Sequence, residues 1–153
     1  MNMKCSDLQI GDYVRFKRTK ESVWVFEIDG DKNAINNEPD GYCSEKNIGI
    51  DDVEPIPLTP EILERNGFNK VPQQGCSNPY FWMLEKYEEE SEELLYRIKA
   101  YKTLFRGMCV SIDNYADCEP IKFSKQMEHV HELQNALRLC SINDLADNFK
   151  LEK

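Results

Sequence analysis

The two histidines, His129 and His131, are the residues whose type and spacing come nearest to a catalytic or metal-binding motif. They form an H-x-H pair in a segment whose apolar pattern predicts a helix. Positions i and i+2 of a helix point about 200° apart, so one metal ion cannot bind both side chains. The seven glycines never cluster into a phosphate-binding loop. We therefore expect no enzymatic activity, no catalytic residue, no bound metal and no cofactor.

The cysteines do not suggest a site either. None stands in a C-x-x-C pair, and none has a histidine at zinc-finger spacing. With no apolar signal segment in residues 1–10, we expect reduced thiols. Cys109 and Cys140 lie in apolar surroundings and are expected to pack in the core. The six positions are Cys5, Cys43, Cys76, Cys109, Cys118 and Cys140.

Two groups of basic and aromatic side chains are candidate binding sites. The first lies near the N-terminus, where it could contact a peptide or a single strand of nucleic acid; it comprises Arg15, Lys17, Arg18, Lys20 and Trp24. The second would line a pocket for a nucleotide-type ligand, between the two halves of the chain or at an oligomer interface. Its members are Tyr80, Trp82, Arg97, Lys99 and Arg106.

An acidic run is the third candidate. It is either a solvated hairpin tip or helix face, or a contact surface that imitates a phosphate backbone and fits a basic site on a partner; its members are Glu88, Glu89, Glu90, Glu92 and Glu93. The whole chain has 19 basic and 28 acidic side chains, a formal charge of −9. That charge opposes general binding to nucleic acid. We expect a protein partner first, a small nucleotide second and nucleic acid last.

The elements that position these residues begin with short strands. Residues 13–17 and 23–28 carry β-branched and aromatic side chains, and turn signals separate them from shorter strands at residues 34–35, 41–43 and 48–56. Five such strands predict a small closed or half-closed β-barrel over residues 1–58. A short linking helix over residues 59–68 follows, with Thr59 as N-cap and Pro60 in the first turn. Residues 69–79 are expected to be a polar loop.

Beyond the loop, apolar side chains at every second position favour an antiparallel meander of strands at 80–88, 94–102, 104–113 and 120–123. A helix through residues 85–96 is the alternative. A C-terminal helix over residues 126–140, after a cap at Ser124, should cover this sheet with Val130, Leu133 and Leu137 and leave Gln134 and Arg138 on its polar face. A last short helix is expected over residues 143–149. The fold class is therefore α+β, with a second unit over residues 69–153 that can form one compact body with the first.

Three segments carry a resemblance to a known family. They are D-L-Q-I-G-D-Y-V at Asp7–Val14, I-P-L-T-P-E-I-L-E-R-N-G-F at Ile56–Phe68, and V-H-E-L-Q-N-A-L-R-L-C at Val130–Cys140. Together they resemble a family of small uncharacterised proteins carried by prophages and mobile elements of gut anaerobic bacteria. The resemblance implies a Src-homology-3-like barrel in the N-terminal unit and a location in the bacterial cytoplasm. Because no apolar run reaches the roughly 20 residues of a membrane span, we expect no membrane contact.

With these expectations, the first hypothesis is a binding protein of phage or mobile-element origin that acts on a host or phage macromolecule. The alternatives are an anti-defence protein that sequesters a nucleotide-type signalling molecule and a weak binder of single-stranded nucleic acid. The residues leave the oligomeric state open.

Overall fold

Six short strands lie in the described part of the N-terminal third of the chain. The computed structural model describes residues 3–37, 47–75, 78–104 and 106–151. The strands are β1 (Tyr13–Phe16), β2 (Ser22–Trp24), β3 (Glu27–Asp29), β4 (Ala34–Asn36), β5 (Ile48–Gly49) and β6 (Val53–Pro55). They form two antiparallel sheets, with strand orders β2-β1-β6 and β3-β4-β5. The expected strand at residues 41–43 lies outside the described residues.

These two sheets enclose a small apolar core of their own. Val14, Val23, Val25, Ile35 and Val53 are all buried in it. The predicted single strand over residues 23–28 is in fact two strands in different sheets, because the chain turns at Val25 and Phe26. Among the described residues both sheets are open, and no closed ring of strands is seen.

The short linking helix is confirmed as α1 (Pro60–Arg65). The hydroxyl of Thr59 accepts a hydrogen bond from the amide of Ile62 at 3.3 Å, as an N-cap should. Phe68 packs back onto the helix and is buried. The loop expected over residues 69–79 is wrong in its first part, because Asn69–Pro72 pair with the next strand as β7.

A five-stranded antiparallel sheet forms the centre of the molecule. It contains β7, β8 (Tyr80–Tyr87), β9 (Leu94–Lys102), β10 (Met108–Asn114) and β11 (Ile121–Met127), in the spatial order β11-β10-β9-β8-β7. The meander is confirmed, and residues 85–96 form a hairpin rather than a helix. One face of the sheet is buried, since side chains such as Trp82, Ile98 and Ile112 alternate with half-exposed neighbours.

Two helices complete the α+β fold. They are α2 (Val130–Leu139) and α3 (Asn143–Asp147). The expected start of the C-terminal helix at residue 126 is wrong, because residues 121–127 pair with β10 along its whole length. Val130, Leu133 and Leu137 pack on the sheet as predicted. None of the helices in the described ranges is long and apolar enough to cross a membrane.

Candidate functional site

A group of residues connected by polar contacts, which we call the junction, joins the N-terminal sheets to α2: Gly11, Asp12, Tyr13, Gln134 and Arg138. Gln134 is fully buried at its centre. Its side-chain oxygen accepts a hydrogen bond from the Tyr13 amide at 2.8 Å. Its side-chain nitrogen donates to the carbonyls of Gly11 and Ala146, both at 3.0 Å. One glutamine therefore connects β1, α2 and α3.

Asp12 and Arg138 form an ion pair beside that glutamine. Arg138 Nη1 lies 2.5 Å from Asp12 Oδ1, and the aspartate side chain is inaccessible to solvent. Burial raises the pKa of Asp12, while hydrogen bonds from Arg138 and from the Gln9 amide act to lower it. Gly11 has a φ of +94°, and a β-carbon there would lie 2.8 Å from Arg138 Nη2. Only glycine suits this position.

The junction corrects one expectation and accounts for the three sequence segments described above. Gln134 was expected on the polar, solvent-facing side of its helix; it is buried because α2 packs against β1 as well as against the sheet. The segments meet here: the first supplies Gly11–Tyr13, and the third supplies Gln134 and Arg138. The second joins them through hydrogen bonds from the Leu58 amide to the Glu128 carbonyl and from the Val130 amide to the Ile56 carbonyl. The junction therefore gives residues of the first and third segments a structural role, and backbone hydrogen bonds connect the second segment to the third.

The outer face of the central sheet is a surface that no described helix covers. We call it the open face, defined by Phe81, Met83, Glu85, Arg97, Lys99, Tyr101, Cys109, Ser111 and Asp113. All nine side chains are half-exposed, and none belongs to either apolar core. Phe81 and Tyr101 stack, with ring centroids 5.1 Å apart and planes 17° apart. Arg97 binds Glu85 at 2.7 Å, and this hydrogen bond lowers the pKa of Glu85.

The second group of predicted pocket residues does not come together. Arg97 and Lys99 lie on the open face, whereas Trp82 lies on the buried face, where its indole nitrogen donates to Glu64 at 3.0 Å. Tyr80 shares that buried-side orientation and contacts Lys70 Nζ at 4.2 Å from its ring centre. Arg106 is exposed in the turn between β9 and β10. Alternation along β8 and β9 separates these side chains onto opposite faces.

The N-terminal basic group is partly neutralised. Glu54 accepts hydrogen bonds from Arg15 at 2.7 Å and from Lys20 at 2.5 Å, and these bonds lower the pKa of Glu54. Lys17 and Arg18 are exposed, and Trp24, also exposed, packs on Phe26 with ring centroids 5.5 Å apart. Two of the four cations therefore already have a carboxylate partner, which weakens their attraction for an anionic ligand.

The acidic run forms the turn between β8 and β9. The Glu88 amide donates to the Glu93 carbonyl at 2.8 Å, and Ser91 Oγ donates to Glu88 at 2.9 Å. Glu92 adopts a φ of +58°, which closes the turn. We call this the acidic hairpin, residues 88–93. It continues the open face at one end of the two longest strands.

The histidines differ from their predicted arrangement. His129 precedes α2 in an extended conformation, so the two rings lie parallel with centroids 5.8 Å apart instead of pointing away from each other. His129 contacts Glu132 at 2.9 Å. His131 is buried, and burial lowers its pKa, which favours the neutral ring. Within the described part of the chain, no group of three His, Cys, Asp or Glu side chains could hold a metal ion.

The described cysteines are free thiols. Cys140 is buried as expected, but the core position expected for Cys109 is wrong. Cys109 lies on the open face because it alternates with the buried Met108 and Val110. Cys43 and Cys76 lie outside the described residues.

Comparisons of the chain with protein-family models, with curated proteins and with solved structures find no match.

Proposed function

We propose that this chain is a non-catalytic binding protein that contacts a host or phage protein through the open face and the adjoining acidic hairpin. The observation that carries the proposal is the stacked pair Phe81 and Tyr101 on a sheet face that no described element covers. Exposed aromatic side chains on a rigid sheet contribute much of the energy of protein–protein interfaces.

The size of the face determines what the partner must look like. The open face lies on three strands, each about 4.8 Å wide. With the eight residues of β8 at about 3.3 Å each, its area is roughly 400 Å². A standard interface buries about 800 Å² on each partner. The contact must therefore extend beyond the open face, and the acidic hairpin is continuous with it. The expected partner has an apolar patch for Phe81 and Tyr101 beside a basic patch for residues 88–93.

Charge favours protein over nucleic acid as the partner. The formal charge of −9 and the acidic hairpin both repel a phosphate backbone. The neutralisation of Arg15 and Lys20 by Glu54 weakens the N-terminal basic group as a site for single strands. A nucleotide-type ligand remains the second proposal, because a cleft lined by Arg65, Lys86 and Lys150 lies on the opposite side of the central sheet.

The proposal also covers where the protein acts and the fold of its N-terminal unit. The resemblance to proteins of prophages and mobile elements suggests action in the cytoplasm of a bacterial host. We also propose that the N-terminal unit is a Src-homology-3-like barrel. Two three-stranded sheets that enclose one core, with a chain that passes between them at Val25 and Phe26, support this assignment.

Paired surface variants test the proposed interface. We expect Phe81→Ser/Tyr101→Ser to weaken binding to the partner at least about tenfold, because buried aromatic contacts dominate such interfaces. We expect Glu89→Lys/Glu90→Lys to lower the affinity for the partner and to make that affinity less dependent on ionic strength. The partner is first identified by mass spectrometry after capture from host lysate, and affinities are then measured with both purified proteins.

Each variant has a matched control. Tyr80→Ser removes an exposed aromatic ring from the other side of the sheet, and Asp31→Lys/Asp117→Lys makes the same charge change at exposed positions elsewhere. Equal loss of affinity in controls and test variants would contradict the proposed surface. Capture of nucleic acid alone, or self-association that depends on Phe81, would also overturn it.

A further inference from the structure

A concave site lies on the opposite side of the sheet from the open face. It is a cleft of about 780 Å³ between the end of α1, the ends of β8, β9 and β10, and the residues that follow α2. This volume falls in the range of about 300–1,000 Å³ that small-molecule sites occupy. Lys86, Tyr96 and Asn114 stand opposite one another on three adjacent strands and form its floor.

The charge of this cleft is opposite in sign to that of the chain. Three cations line it, Arg65, Lys86 and Lys150, against one carboxylate, Asp144. The local formal charge is +2 in a chain whose total is −9. Arg65 belongs to α1, Lys86 belongs to β8, and Lys150 follows α3. The folding of three separate segments therefore brings these cations to one cleft.

Several of these polar groups have no partner within the described residues. Among the described residues, the side chains of Lys86 and Lys150 make no hydrogen bond or ion pair. The same is true of the Ser141 hydroxyl and the side-chain amide of Asn143. The Nη1 of Arg65 donates to the Leu151 carbonyl, which holds the guanidinium at the rim. Tyr96 packs partly against the main core and adds apolar surface.

We infer that this cleft binds a small phosphorylated molecule, with the phosphoryl group at Lys86 and Lys150 and the organic part against Tyr96. A phosphomonoester carries a charge of about −2 at neutral pH, which complements the local +2. The cleft is larger than inorganic phosphate needs, so the ligand includes an organic part such as a ribose or a nucleoside. This site is separate from the open face, and its occupancy does not depend on a protein partner.

Titration calorimetry of the full chain tests the inference, with adenosine monophosphate, ribose 5-phosphate, inorganic phosphate and uncharged adenosine as probes. We expect a dissociation constant below about 1 mM for at least one phosphorylated organic probe, with adenosine at least about tenfold weaker because it lacks the charge. Lys86→Ala and Lys150→Ala should each weaken binding about tenfold, since each removes a charge-assisted hydrogen bond. Both lysines are exposed, so these variants should fold.

Lys122→Ala, an exposed lysine on β11 outside the cleft, should bind as the unmodified chain does. Phe81→Ser/Tyr101→Ser should also bind normally, which separates this site from the proposed interface. Absence of binding by the unmodified chain at about 1 mM of each phosphorylated probe would overturn the inference. Equal weakening in Lys122→Ala and Lys86→Ala would overturn it as well, because the effect would then come from net charge alone.

Discussion

Replacing Gln134 with leucine should lower the free energy of unfolding by about 4 kcal/mol. The change keeps the side-chain volume similar but leaves the Tyr13 amide and the carbonyls of Gly11 and Ala146 without their partner. Each buried polar group that loses its hydrogen bond costs roughly 1–3 kcal/mol. For a domain of this size, the melting temperature should fall by about 8–16 °C.

Urea denaturation, monitored by circular dichroism, measures this loss in the free energy of unfolding. Gln74→Leu is the matched control, because Gln74 is exposed in the loop after β7 and the same substitution there should change stability by less than about 0.5 kcal/mol. A loss below about 1 kcal/mol for Gln134→Leu would show that this glutamine does not hold the N-terminal sheets against α2.

Replacing Arg138 with methionine should have the next largest effect, a loss of about 3 kcal/mol near neutral pH. Asp12 is inaccessible to solvent, and removing its partner leaves an uncompensated buried charge. Asp147→Asn is the control: this carboxylate contacts the same arginine at 3.3 Å but is 58% exposed, so its loss should cost less than about 1 kcal/mol.

The effect should depend on pH in a defined direction. Burial already raises the pKa of Asp12, and the variant lacks the Arg138 interactions that act to lower it. When the pKa of an acid is higher in the folded state than in the unfolded state, the fold loses stability as the pH rises from the unfolded-state pKa to the folded-state pKa. The difference in stability between Arg138→Met and the unmodified chain should therefore be smaller near pH 5 than near pH 8. A difference that grows toward acid would contradict the ion pair.

Short sequence patterns were sufficient to predict the strands that alternate apolar and polar residues and the helix that has a clear N-cap. Alternation along residues 94–102 and 104–113 predicted two strands, of which the second begins only at Met108, and Thr59 and Pro60 predicted the start of α1. The error at residues 124–127, which were expected to cap and begin a helix, has a physical cause. This strand is polar at four of its seven positions, and three of these are consecutive, Ser124, Lys125 and Gln126. The alternation therefore stops after Phe123, and the rest of the strand depends on its pairing with β10. The sequence neighbours of residues 124–126 contain no sign of that pairing.

The junction and the cleft could not be predicted because they depend on long-range contacts. Gln134 and Tyr13 are separated by 121 positions, and nothing next to Gln134 distinguishes it from a solvent-facing helix residue. Likewise, the alternation that separates Arg97 from Ile98 predicts two faces but not which one the helices cover. The grouping of Tyr80 and Trp82 with Arg97 and Lys99 assumed a shared face, and the register places the two pairs on opposite faces.

Site-specific photocrosslinking in host cells tests the proposed function most directly. A photoreactive residue at Ser111, on the β10 part of the open face, is compared with one at Lys17, which is exposed in the turn after β1. We predict a protein adduct of defined mass from position 111 and none of that mass from position 17. The adduct should disappear when Phe81→Ser/Tyr101→Ser is added. An adduct from position 17 with none from position 111 would contradict the claim that the open face is the binding surface.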